Sequence, residues 1–132
     1  MENGLIVKNS PNDVETTYEK LRTILDNNPN LKILLELDHS KNAGSVGLEL
    51  GATKIIMFGN PKLGTPLMQA SATTSIDLPQ KIVVFSDGNG QTKVAYNDPM
   101  YLKDRHKLEG VEEILNKVSG ALNMITDKVV EG

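Results

Sequence analysis

Asp87-Gly88-Asn89-Gly90 separates two β-rich runs, Lys81 to Ser86 and Thr92 to Asn97. Glycine and asparagine accept the positive φ that a tight turn demands, so the two runs are expected to pair as an antiparallel hairpin. A chain with this hairpin holds an antiparallel sheet, which removes all-helical and all-parallel architectures. The same turn superficially resembles a calcium loop. That loop requires glycine at its sixth position and glutamate at its twelfth, where this chain has Thr92 and Asp98.

The remaining segments supply partners for the hairpin. Leu5, Ile6 and Val7 form a short strand, and Ser10-Pro11-Asn12-Asp13 follows with a capping hydroxyl, a proline and an acid, so a helix is expected to start there. Val14, Tyr18, Leu21 and Leu25 draw one apolar stripe along it, closed by Asn27-Asn28-Pro29-Asn30. Lys32 to Asp38 is nearly all aliphatic, the pattern of a strand covered on both faces. Ala43, Val46, Leu48 and Leu50 outline a short glycine-diluted helix, and Thr53 to Phe58 a second buried strand. Leu63 to Ala70 reads as a helix, Ser71 to Pro79 as a loop, and the stretch from Asn97 to Gly110 as irregular. Val111, Ile114, Leu115, Val118, Leu122, Ile125 and Val129 mark one face of a long final helix. The fold class is α+β, a single mostly antiparallel sheet packed by helices, with residues 1–132 forming one domain.

Composition narrows the function. Fourteen Lys and Arg against seventeen Asp and Glu are spread along the chain, and aromatics are 4% with no Trp. Nucleic-acid binding needs clustered cations and stacking rings, so no nucleic-acid partner is expected. The absence of cysteine removes disulfides, thiol nucleophiles, iron–sulfur clusters and thiolate zinc sites. No apolar run approaches the ~20 residues of a membrane span, and the first residues lack a secretory pattern. A cytoplasmic protein without membrane contact and without a cofactor is the expectation.

Leu37-Asp38-His39, Val46-Gly47-Leu48-Glu49-Leu50, the block Phe58 to Ala70, Ile76-Asp77-Leu78-Pro79, Tyr96-Asn97-Asp98-Pro99 and Arg105-His106 occur in the order seen in one family. In these blocks the chain resembles the domain of unknown function 302 family over nearly its whole length. The resemblance implies a fold similar to the TATA-binding-protein-like β-α-β4-α arrangement, often paired as a homodimer. It implies neither DNA binding nor any reaction.

The candidate site residues lie at strand ends. Gly59-Asn60-Pro61-Lys62-Leu63-Gly64-Thr65 follows a strand as a phosphate loop does, but lacks the lysine after its second glycine. Asn60 as a helix cap is the simpler reading, and Gly64 and Thr65 near a helix start keep the capacity to hold an anion. Asp38 and His39 stand where a strand emerges, suited to proton exchange near neutral pH. His106 is the other histidine, and Asn97 and Asp98 precede a proline. The two histidines have no metal-ligand spacing; with Asp38 or Asp98 they compose a three-ligand set only if the fold converges them. Met57, Met68, Met100 and Met124 stand at core-like or helix-face positions and fit gap-filling side chains.

The leading expectation is a homodimeric binder of a small polar or anionic ligand, with His39, Asn60, Gly64, Thr65, Asn97, Asp98 and His106 as ligand-binding residues. Two alternatives stand beside it: an enzyme using His39 as general acid/base oriented by Asp38, with or without a metal, and an interaction module acting through a dimer surface that includes Leu122 and Ile125.

Overall fold

The computed structural model describes residues 3–132. Its strands are β1 (Leu5–Ser10), β2 (Lys32–Asp38), β3 (Thr53–Gly59), β4 (Gln80–Ser86) and β5 (Thr92–Asn97). Its helices are α1 (Val14–Asp26), α2 (His39–Ser45), α3 (Pro61–Ala70), α4 (Pro99–His106) and α5 (Glu112–Val129), with a 3₁₀ turn at Ala72–Ile76. The strands form one five-stranded sheet in the order β1-β5-β4-β3-β2, and every neighbouring pair is antiparallel. The α+β class with a single antiparallel sheet is thus observed. The β4–β5 hairpin pairs Ser86 with Thr92 across the turn.

Alternation along the strands gives the sheet two unlike faces. Ile56, Phe58, Ile82, Val84, Val94 and Tyr96 point to one side and are buried. There they meet the expected stripes of α1 (Val14, Tyr18, Leu21, Leu25) and α5 (Val118, Leu122, Ile125, Val129) in one core. Leu67, Leu102, Leu108, Val111 and Leu115 form a second, smaller apolar cluster that joins α3, α4 and the start of α5. Lys8 fastens edge strand β1 to α5: its Nζ donates to Asn123 Oδ1 (2.8 Å), Thr126 Oγ1 (2.7 Å) and Asp127 Oδ1 (2.8 Å).

Among the described residues, the side chains of the opposite face take no part in either apolar cluster. The register sets Val7, Ala95, Val83, Ile55 and Leu37 in one row across all five strands. Leu5, Val7, Leu35 and Leu37 are 48%, 47%, 46% and 38% exposed. The expectation that Lys32 to Asp38 is covered on both faces is therefore corrected: β2 is an edge strand, and Leu35 and Leu37 on its far face have only their cross-strand neighbours Met57 and Ile55 beside them among the described residues and stay partly in water. Leu122 and Ile125, expected on a dimer surface, instead face the chain's own core.

Two local differences have simple causes. α1 begins at Val14 because the Asp13 carboxylate accepts from Thr16 N (2.7 Å), while the Ser10 hydroxyl lies in β1 against Thr17 Oγ1 (2.7 Å). Residues 99–106 are helical, because Asp98 caps Met100 N (2.9 Å) and Pro99 takes the first turn. Gly4, at φ +72°, lies where a Cβ would strike the Tyr101 ring, so only glycine lets β1 and α4 approach.

Ile82 is fully buried at the sheet centre, and Ile82→Ala is expected to cost about 2–5 kcal/mol of stability, read from urea unfolding. The carboxyls of Asp13 and Asp38 are held below their ordinary value, Asp13 by its hydrogen bonds with Thr16 and Asp38 by those from Ser40 and Lys41. Their stabilising effect is present at neutral pH and lost as pH falls through those depressed values, below about 4. Asp38→Asn should therefore flatten part of the acid-side loss of stability in urea melts.

Candidate functional site

The expected site residues fall at two ends of the sheet. Asp38 pairs with Lys54 at one end of the β2–β3 ladder and Lys32 with Gly59 at the other, about 20 Å apart at the usual rise per residue. His39 and Asp38 are at the first end. Asn60, Gly64, Thr65, Asn97, Asp98 and His106 are at the second, so the structure does not bring His39 into one pocket with them. Asp38 caps α2: it accepts from Ser40 Oγ (2.6 Å) and Lys41 N (2.9 Å). His39 is exposed and, among the described residues, makes no hydrogen bond to Asp38. The carboxylates expected to join the two histidines, Asp38 and Asp98, are each at a helix cap, and among the described residues no three metal-ligating side chains converge.

At the second end, Asn60 terminates β3 and caps α3, its Oδ1 accepting from Lys62 N (3.0 Å). Pro61 begins the helix. The Gly64 amide, expected to be free for an anion, donates to the Asn60 carbonyl (2.9 Å) because Gly64 is inside the helix. What α3 builds is a cavity of about 490 Å³ where it meets α5, the end of β3 and the α1–β2 connection. Phe58, Leu63, Leu67, Leu122 and Ile125 line its interior. The polar groups Asn28, Asn30, Lys32, Asn60, Thr65 and Gln80 also line it. Its walls come from both apolar clusters, Leu67 from the smaller and Phe58 and Leu122 from the larger. Of the expected ligand-binding residues, Asn60, Gly64 and Thr65 are in this cavity. Asn97, paired with Leu5, ends β5 on the bare side of the sheet.

His106 closes α4 and is buried. Its Nε2 lies 2.6 Å from Asp77 Oδ2, and its Nδ1 lies 2.8 Å from Thr73 Oγ1. Arg105 donates to both Asp77 oxygens, at 3.1 and 3.2 Å. With Asp77 as a carboxylate, Nε2–H donates to it and Nδ1 accepts from the Thr73 hydroxyl. This node ties the 3₁₀ turn to α4. Thr73 and Asp77 were not singled out as site residues, although Asp77 stands in the block Ile76-Asp77-Leu78-Pro79 that, with Arg105-His106, carries the family resemblance. His106→Ala should strip both bonds and lower stability by about 1–3 kcal/mol in urea unfolding, with Asp77→Ala close behind.

Comparison with known proteins agrees with the fold. Residues 6–125 match the family model described as Domain of unknown function DUF302. The crystal structure of an uncharacterized conserved DUF302 protein from Bacillus stearothermophilus superposes with a TM-score of 0.83 at 20% identity, covering 96% of this chain and 98% of that one. The chain is 34% identical over 108 residues to a Brucella suis protein named Fluoride-specific ion channel FluC 1, covering 82% of this chain and 42% of that protein. It is 34% identical over 108 residues to Fluoride-specific ion channel FluC 2 of Brucella melitensis, covering 40% of that protein. The chain thus spans about two fifths of these curated relatives. Among the described residues, no helix is long and apolar enough to cross a membrane. With a family model matched across most of its length and the same fold in a solved member, the chain belongs to the DUF302 family.

Proposed function

We propose that this DUF302 domain is a homodimeric small-ligand-binding module whose ligand has an apolar body and one polar or anionic head. The observation that carries the reading is the cavity of about 490 Å³ between α3 and α5, within the size range of small-molecule sites. Aliphatic and aromatic carbons line its interior, while side-chain amides and the Lys32 ammonium supply the polar part of its lining. Such a lining takes up a hydrocarbon or ring portion through the hydrophobic effect and orients the head by hydrogen bonds. The Asn60 amide nitrogen is available for this task, since the cap uses only its oxygen.

The fluoride channels named among the relatives do not transfer their ion to this cavity in our reading. Fluoride is small and strongly hydrated, and leaving water requires N–H donors in place of aliphatic walls. In such longer proteins the module would supply ligand binding beside the remaining three fifths of the chain. The far face of the sheet supports pairing with a second copy, since Leu5, Val7, Leu35 and Leu37 are exposed along its two edges and apolar surface of this kind is a frequent interaction site.

Titration with 1-anilinonaphthalene-8-sulfonate, displaced by decanoate, tests the pocket. We expect saturable fluorescence, displacement by decanoate, and a rise in melting temperature at saturating decanoate. Leu63→Trp fills the cavity with a ring and should reduce decanoate affinity at least tenfold while leaving the far-ultraviolet circular dichroism unchanged. Equal affinity in this variant would overturn the proposal.

A further inference from the structure

We propose that the segment Val46–Leu50 is a docking arm that lies across the bare sheet face of a second copy of this chain. The inference rests on the homodimer reading above and names the surfaces that make the pair. The arm follows α2, and Val46, Leu48 and Leu50 are 71%, 66% and 51% exposed. None of residues 44–52 is buried. The segment is nonetheless held in a defined shape. Leu48 N donates to the Ala43 carbonyl (3.0 Å) and Gly47 N to the Gly44 carbonyl (3.2 Å), with Gly47 in the left-handed conformation at φ +78°, a helix stop that only glycine adopts without strain. An ordered segment that offers three large aliphatic side chains to water satisfies none of them within its own chain.

The receiving surface is the row Val7, Ala95, Val83, Ile55 and Leu37 across the five strands. Its two edges carry the deficit: Leu5, Val7, Leu35 and Leu37 are between 38% and 48% exposed, while Val83 and Ile55 are half-buried and Ala95 is 6% exposed between them. Taken together, the arm and these four residues expose on the order of 600 Å² per chain, so a two-fold pair that covers all of it buries about 1,200 Å², the lower bound of stable interfaces, to which the half-buried Val83, Ile55, Met57 and Phe85 add. A two-fold pair places arm on sheet twice, since each copy carries both surfaces. The charges allow the contact: among the described residues Glu49 of the arm has no ion-pair partner, and the bare face carries Lys81, whose Nζ donates to the Asp77 and Pro79 carbonyls rather than to a carboxylate, and Lys93, whose long 3.7 Å contact with Asp87 leaves donors for a second carboxylate. Neither side of this contact overlaps the α3–α5 cavity.

The chain has no cysteine, so single-cysteine variants report one position each. Leu48→Cys, Val7→Cys and Met124→Cys are reacted with a maleimide at high and low protein concentration, with native mass spectrometry of the wild type alongside. Met124 is 58% exposed on the helical side and serves as the free reference. The expected result is a dimer mass, with Leu48→Cys and Val7→Cys alkylated at least tenfold more slowly than Met124→Cys, and with that protection lost on dilution. A wild-type dimer in which Leu48→Cys reacts as fast as Met124→Cys overturns the arm and leaves the pairing intact. A wild type that stays monomeric at the highest concentration overturns both.

Discussion

Everything in this domain follows from a sheet that packs helices on one face only. The hydrophobic effect asks that each apolar face find cover, and α1 and α5 satisfy one of the two. Their stripes meet Ile56, Ile82, Val84 and Val94 in a continuous core, and the Lys8 ammonium ties the β1 edge to the α5 surface. The other face keeps Val7 and Leu37, at the two ends of its aliphatic row, in water, with Ile55 and Val83 half-buried between them. The same alternation that builds the core therefore leaves an unmet demand on the far side.

The second consequence of one-sided packing is crowding at one end. After β3, the chain turns through Asn60 and Pro61 into α3, and the 3₁₀ turn and α4 fill in beside it. These short elements make a cluster of their own, separate from the main core. Where the two clusters meet along α5, neither has side chains enough to close the space, and the cavity is the remainder. A Cβ at Gly64 would meet Leu78 Cδ1 at 3.7 Å, and both residues line the cavity together with Phe58 and Leu122. The node of His106, Asp77, Arg105 and Thr73 holds this end together by polar contacts where apolar packing is thin.

How much of this was legible depended on whether a residue's partner lay nearby in sequence. The helices α1 and α5 and the β4–β5 hairpin were readable because periodicity and turn chemistry are local signals. Helix α4 was not, since Leu102 and His106 give it too few buried side chains for a stripe; Asn97-Asp98-Pro99 announced its cap but reads equally as a turn. β2 misled because an aliphatic strand looks the same whether both faces are covered or one is bare. Asn60 could be placed at a strand end beside a helix, and it does line the cavity. That Asp38 and His39 sit at the far end of the ladder is a matter of strand direction, which no local pattern encodes. The Thr73 and Asp77 contacts join His106 across some thirty residues, and nothing in either segment alone names the other.

The free edge of β2 carries a register shift between Ile33 and Leu35, with Leu34 set out of the ladder and 53% exposed. An irregularity of this kind breaks the evenly spaced row of amides and carbonyls that an arriving strand would need. Growth of the sheet by lateral addition is thereby discouraged, although β2 is rich in leucine and lies at the rim. An association through the flat of the sheet closes on itself after one partner, whereas association through the rim has no natural end. The shift at Leu34 thus favours assemblies of fixed size over fibrous ones.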